Sequence, residues 1–165
     1  MISLEKFTED DFNRLINWIK SEDDLILFAG PNFKFPLTKQ QLSEYITNDN
    51  RKVFKVLDKK SKEVIGHCEL NDINQSTKNA RVCRMLIGDE SKRNKGYGGK
   101  VLKELIRIAF NELLLNNITL KVYEKNTSAI KCYKNCGFEV KGKIHKSMVG
   151  DGKYWSAYIM SLSNN

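Results

Sequence analysis

Two stretches of this 165-residue chain combine residue types and spacings that can do chemistry. The first, Arg93-Asn94-Lys95-Gly96-Tyr97-Gly98-Gly99-Lys100, lies between an apolar, strand-like run and a long amphipathic segment. A strand that feeds a glycine-rich turn into a helix leaves several backbone N–H groups unpaired and pointing one way, with the positive end of the helix dipole behind them. Such a turn suits a pyrophosphate: the glycines admit close approach of the backbone, and Arg93, Lys95 and Lys100 add charge around the rim. Neither common nucleotide motif fits. Val101 stands where the third glycine of G-x-G-x-x-G is required, and Asn94 stands where a Walker loop needs its first glycine.

The second stretch, Val122 to Phe138, sets Asn126 at a helix start, Tyr133 inside the helix and Gly137 just past its end. The first motif has the form R-x-x-G-x-G, and the second N-x-x-A-I-x-x-Y-x-x-x-G-F. In this order, a helix and a strand apart, they resemble the acetyl-coenzyme A loop and the strand–Asn–helix–Tyr–Gly–Phe segment of the GNAT superfamily of N-acetyltransferases. The resemblance covers roughly residues 50 to 162. The first residues are similar only in general layout to a bacterial subgroup that modifies ribosomal proteins, polyamines and related amines. The resemblance implies an α+β class, the GNAT (acyl-CoA N-acyltransferase) fold, with a mixed, mostly antiparallel central sheet flanked by helices on both faces. It implies acetyl-CoA as co-substrate and acetyl transfer to a primary amine; the cysteines show no zinc spacing and have no histidine pair beside them, so no metal is expected, and direct attack in a ternary complex is the expected route. The acceptor class would be a small molecule such as a polyamine or amino compound, or a protein N-terminus. The competing expectation is a catalytically silent RNA- or ribosome-associated module on the same fold; the intact pair of motifs favours the enzyme.

The resemblance also implies roles residue by residue. Main-chain groups of Met85, Leu86 and Ile87, up to Gly88, would pair with the pantetheine arm as with an added strand. N–H groups of Asn94, Lys95, Gly96, Tyr97, Gly98 and Gly99, with Arg93 and Lys100 beside them, would hold the pyrophosphate. Asn126, Ala129 and Tyr133 would border the cofactor, Asn126 also capping its helix. Tyr133 is the candidate acid, because the reaction expels a thiolate that a phenol can hydrogen-bond or protonate; the competing role is a packed tyrosine beside Ile130 and Phe138. A base is harder to find. Some family members carry a glutamate on the strand before the loop, whereas Ala80-Arg81-Val82-Cys83-Arg84-Met85 has no carboxylate. Glu69 on the neighbouring strand is the candidate, facing the cleft directly or through water, against the reading of an exposed strand residue. Asp72 falls on the other strand face, and His67 reads as structural. A covalent route through Cys132 or Cys136 lacks an evident activating base, so direct transfer is favoured.

The elements that must position these residues follow from local signals. Thr8 before Glu9-Asp10-Asp11, with Phe7 able to staple onto Phe12, predicts a helix running to about Lys20. Thr38 with Gln41, and Leu37 with Leu42, predict a second to about Thr47, after an ordered loop over Gly30–Pro36. Strands are expected over Lys52–Asp58, Glu63–Asn71 and Ala80–Ile87 as an antiparallel meander, then a helix from Gly98 to Asn116. A strand over Ile118–Tyr123, a helix over Thr127–Asn135, and a strand pair over Phe138–Ile144 and Tyr154–Leu162 complete the pattern. Phe28, Phe33, Phe35 and Trp155 either wall the acceptor pocket or fill the core, and Glu22-Asp23-Asp24 reads as a solvated helix end that could alternatively attract a cationic amine.

Composition agrees with one folded domain over 1–165. There are 28 Lys and Arg against 20 Asp and Glu, a net charge of +8. That balance suits an anionic ligand, but the basic residues are scattered and nucleic acid is not expected. Four cysteines without C-x-x-C read as buried free thiols. No apolar run approaches the ~18 residues of a membrane span, and no basic-then-apolar leader opens the chain, so a cytoplasmic location without membrane attachment is expected. An exposed edge strand near the C-terminus is compatible with a homodimer.

Overall fold

Runs rich in β-branched and aromatic residues form seven strands: β1 (Ile2–Lys6), β2 (Lys52–Asp58), β3 (Val64–Asn74), β4 (Asn79–Ile87), β5 (Asn117–Tyr123), β6 (Glu139–Gly150) and β7 (Lys153–Ser163). In this computed structural model, which describes all 165 residues, they make one sheet in the order β1-β2-β3-β4-β5-β7-β6. Every neighbouring pair is antiparallel except β4 and β5. Five helices cover it: α1 (Phe12–Trp18), α2 (Glu22–Ala29), α3 (Lys39–Ile46), α4 (Tyr97–Arg107) and α5 (Thr127–Asn135).

Alternation along β3 divides the core. His67 lies against Phe7 and Phe28 on the side of α1 to α3, while Cys68 and Leu70 belong to the cluster built with Val101, Leu102 and Leu105 of α4. A strand buried on both faces must be apolar or internally paired throughout, and β3 from Ile65 to Asn71 is entirely buried.

The caps form as expected. Thr8 and Asp11 make a capping box, with the Phe7 and Phe12 rings 5.7 Å apart, and Thr38 accepts the Gln41 N–H at 3.3 Å. The Gln41 side chain donates back to the Thr38 hydroxyl at 3.3 Å, and it also receives Lys34 N–H at 2.8 Å and donates to Lys34 C=O, latching the proline loop. Four boundaries differ from expectation. β1 is absent from the sequence reading because its exposure alternates only weakly. α1 stops at Trp18, and α2 begins anew behind Ser21, whose hydroxyl accepts Asp24 N–H at 3.1 Å. α4 ends at Arg107 and continues as a π-helical turn, Ile108–Glu112. β6 runs on to Gly150, because β7 supplies it with partners as far as Lys153.

Candidate active site

The site begins where the sheet opens. β4 and β5 are paired only through Asn79–Arg81 and Asn117–Thr119; from Val82 onward no residue of β5 pairs with β4. Two parallel strands that diverge expose main-chain donors and acceptors along the gap, which an extended ligand can take up. Met85, Leu86 and Ile87 stand on the open part of β4 and wall a cavity of about 490 Å³ that reaches the glycine loop. The strand is also bulged. His67 pairs with Leu86 and Glu69 with Cys83, so Cys68 alone faces both Arg84 and Met85, and Arg84 takes a left-handed backbone with φ of 48°.

At the far end of that cavity the chain turns into α4. Gly96 caps the helix with φ of 79°, a conformation that favours glycine. The N–H groups of residues 94–99 donate to no protein acceptor, and the first helical bond comes from Lys100 N–H to Gly96 C=O. A side chain would have room here: an added Cβ meets nothing within 4 Å at Gly96 or Gly99, and only Cys132 Sγ at 3.7 Å at Gly98. The space in front of the amides is therefore left open by the protein itself, as a phosphate cradle requires. The side chains around it have other partners. Tyr97 donates to Asp58 at 2.8 Å, a bond that, with Lys60 N–H and Lys92, draws the Asp58 carboxyl down to about 2. Arg93 Nε donates to Ile87 C=O at 2.9 Å, tying the loop to the end of β4. Lys100 lies over the Tyr97 ring.

Tyr133 sits on the inner face of α5, buried, beside Phe138 at 6.1 Å between centroids. It walls a second cavity, of about 260 Å³, which shares Leu27, Phe28, Met85, Asn126 and Ala129 with the first. Its phenol makes no hydrogen bond within the protein. Burial, with lesser effects of Cys132 and Cys83, holds its proton on well above the usual tyrosine range. Asn126 caps α5 by accepting Ala129 N–H and stands where the two cavities meet.

Glu69 is neither an exposed strand residue nor a free carboxylate facing the cleft. It is wholly buried, accepts from Tyr45 and Arg84, and has Arg51 Nη1 at 3.6 Å. That overturns the reading of an exposed strand residue and shows both carboxylate oxygens engaged by charged or hydroxyl donors. Asp72 is exposed and paired with Arg81 at 3.2 Å. His67 is packed between Phe7 and Phe28, its pKa lowered to about 3 by burial and by Arg84. Burial raises the thiol pKa of Cys132, which disfavours its thiolate.

The strongest feature of the second cavity was not read from the sequence. Arg51 before β2, Arg81 and Arg84 of β4, and Lys121 of β5 all wall it, and no carboxylate does. These residues are scattered along the chain without any local pattern; only the meander and the parallel pairing gather them. α2 supplies Leu27 and Phe28 to both cavities. Of the aromatic candidates, Phe33 packs on Tyr45 and under Arg84, Trp155 stacks edge-on against Tyr123, and Phe35 is exposed. Glu22 and Asp23 bind Lys153, so they tie α2 to the β6–β7 hairpin and do not form a cation trap.

An opened β4–β5 pair, a bulge at the opening and a strand–loop–helix with unpaired amides define an acyl-coenzyme A-binding type of fold. Residues 2–139 match the family described as the acetyltransferase (GNAT) domain, and the chain belongs to that family. It is 33% identical over 100 residues to the L-amino acid N-acetyltransferase AaaT of Escherichia coli, a match covering 60% of this chain and 61% of that protein. It is 32% identical over 112 residues to the N-acetyltransferase p20 of Bacillus licheniformis, covering 66% of this chain and 60% of that one. Among solved structures, spermidine N-acetyltransferase from Vibrio cholerae, in complex with CoA and spermine, superposes with a TM-score of 0.83 at 23% identity, covering 98% of this chain and 95% of that one. That likeness shows the shared fold. No helix of the chain is long and apolar enough to cross a membrane.

Proposed function

We propose that the protein transfers the acetyl group of acetyl-CoA to a primary amine by direct attack within a ternary complex. The observation that carries this reading is the run of unpaired amides at residues 94–99, facing open space at the end of a cavity that shares walls with the one lined by Tyr133. The amides and the α4 dipole receive the pyrophosphate, and the unpaired edge of β4 from Met85 to Ile87 receives the pantetheine arm. Acetyl-CoA supplies the thioester, whose carbonyl carbon accepts the amine. Tyr133 donates a hydrogen bond to the departing sulfur; the proton the thiolate takes up is balanced by the one the nitrogen sheds as the amide forms, and the raised pKa keeps the phenol protonated as a donor throughout.

The amine must be neutral to attack. An amine of pKa ~10.4 is neutral about once in a few thousand at pH 7, against roughly one in ten near pKa 7.7–8.0. The cavity wall offers no carboxylate as a base, but its cations disfavour the ammonium form and ease loss of its proton to water. Glu69 holds Arg84, Arg51 and Tyr45 in place around that cavity. The relatives' names span amino acids and polyamines, both small primary amines, and a small-molecule acceptor fits the dimensions here.

Initial rates of thiol release with both substrates varied test the proposal. Intersecting reciprocal plots are expected; parallel plots would show that a covalent acetyl-enzyme forms instead. A silent RNA- or ribosome-binding module would give no acceptor-dependent thiol at all.

A further inference from the structure

We infer that the acceptor is an amine carrying a carboxylate a few bonds from the reacting nitrogen, and that Arg51, Arg84, Arg81 and Lys121 receive that carboxylate. The inference rests on the acetyl-transfer reading and deepens it by naming the acceptor class.

The charge of the second cavity comes first. Four cations wall it, and the nearby acids do not cancel them. Glu69 neutralises one of the Arg51–Arg84 pair, and Asp72 engages Arg81 on the exposed side. Lys121 has no carboxylate partner; its Nζ rests over the Tyr123 ring at 5.2 Å. A polycation such as spermidine would enter this space against net positive charge, and like charges at short range in a partly dry site disfavour it.

Unsatisfied groups are the second, independent observation. Arg51 Nε, Arg84 Nε, Asn71 Oδ1 and Tyr123 OH are buried and lack any hydrogen-bond partner, and all four residues wall this cavity. Native interiors leave few such groups, and a cluster of them around one cavity calls for a polar occupant there. The set is also mixed in kind: guanidinium donors suit a carboxylate, while the Asn71 carbonyl accepts from an amine N–H. A ligand with both functions on neighbouring atoms satisfies both.

The arginines are held ready. Arg51 lies over the Tyr45 ring at 4.7 Å, and Arg84 lies 5.1 Å from Tyr45 and 5.4 Å from Phe33. Each gives Nη1 to Glu69, which leaves the rest of its planar fork for a ligand. Burial and the neighbouring Arg81 lower the pKa of Lys121, a cost that an incoming anion relieves. A volume of about 260 Å³ lies near the lower end of small-molecule clefts, ~300–1,000 Å³, so the ligand is small.

The test is titration calorimetry on the CoA-saturated protein with matched pairs: L-leucine against isoamylamine, L-phenylalanine against phenethylamine, and L-ornithine against putrescine, with spermidine alongside. In at least one pair the carboxylate-bearing member is expected to bind about tenfold tighter or more, equivalent to about 1.4 kcal/mol. The double variant Arg81→Gln with Lys121→Gln should shrink that ratio at least about threefold while leaving the Kd of acetyl-CoA and the unliganded melting temperature as in the parent. Phosphoethanolamine against ethanolamine asks whether the anion is a phosphate; a preference there with none among the carboxylates overturns the inference. Equal or weaker binding of every carboxylate-bearing member, or tightest binding of spermidine, also overturns it. Failure of acetyl-CoA itself to bind, measured separately by calorimetry, would instead strike the acetyl-transfer reading beneath.

Discussion

Replacing Gly98 with valine separates the ligand's needs from the protein's. Gly98 has an ordinary helical backbone, and a Cβ there would touch only Cys132 Sγ, at ordinary van der Waals distance. Without ligand the substitution therefore creates no clash, and exchanging a helical glycine for a residue of higher propensity gains a few tenths of a kcal/mol up to ~1 kcal/mol. The unliganded melting temperature should hold or rise slightly. With acetyl-CoA at ~100 times its Kd, the parent gains about 2.7 kcal/mol of apparent stability. At ~2–4 °C per kcal/mol for a chain near this size, that amounts to a rise of roughly 5–11 °C. In the variant the side chain occupies the space in front of the unpaired amides, and most of this rise should vanish. Differential scanning fluorimetry with and without acetyl-CoA reads both quantities in one experiment. An undiminished rise in the variant would refute the pyrophosphate site; a large fall in its unliganded melting temperature would refute the claim that the protein leaves this space open.

Gly88→Ala should behave in the opposite way: an added Cβ would lie 1.9 Å from the Trp18 ring, so overpacking of about 1–3 kcal/mol should lower the unliganded melting temperature by roughly 2–12 °C. Tyr133→Phe should retain the thermal rise with acetyl-CoA and lower kcat about a hundredfold, a typical loss for a missing proton donor. Because burial holds the Tyr133 proton on above the usual range, the parent's pH–rate profile should show no alkaline fall at ~10, where an ordinary phenol ionises. His67 is neutral in the fold down to about 3, whereas in the unfolded chain it gains a proton near 6.5. The unfolded chain thus binds the extra proton between those values, and stability fully present above pH ~6.5 is lost as pH falls, at up to about 1.4 kcal/mol per pH unit. Urea midpoints at pH 6.5 and 5 should show that slope in the parent and a shallower one in His67→Gln.

Local rules accounted for what lies close together along the chain. The Thr8 and Thr38 caps, the glycine turn into α4, the Asn126 cap and the Gly137 stop each depend on residues within about a turn of one another, where short-range sterics and hydrogen bonding dominate. β2 to β5 were legible for the same reason. β1 and α2 were not: β1 is defined by its pairing with β2, about fifty residues on, and α2 by packing of Ile26 against Tyr123 and Val149.

The amino-acid sequence by itself determined the family, the phosphate-type turn and the placing of Tyr133 on its helix, because spacing along a helix or a turn carries that information. Only the tertiary structure decided the state of Glu69. Its burial between Tyr45, Arg84 and Arg51 depends on a sheet register and on a bulge that turns Arg84 inward. The same is true of the cationic cavity, whose charges come from Arg51, Arg81, Arg84 and Lys121. Electrostatic environment is a sum over neighbours in space, and for these residues the neighbours lie on different strands.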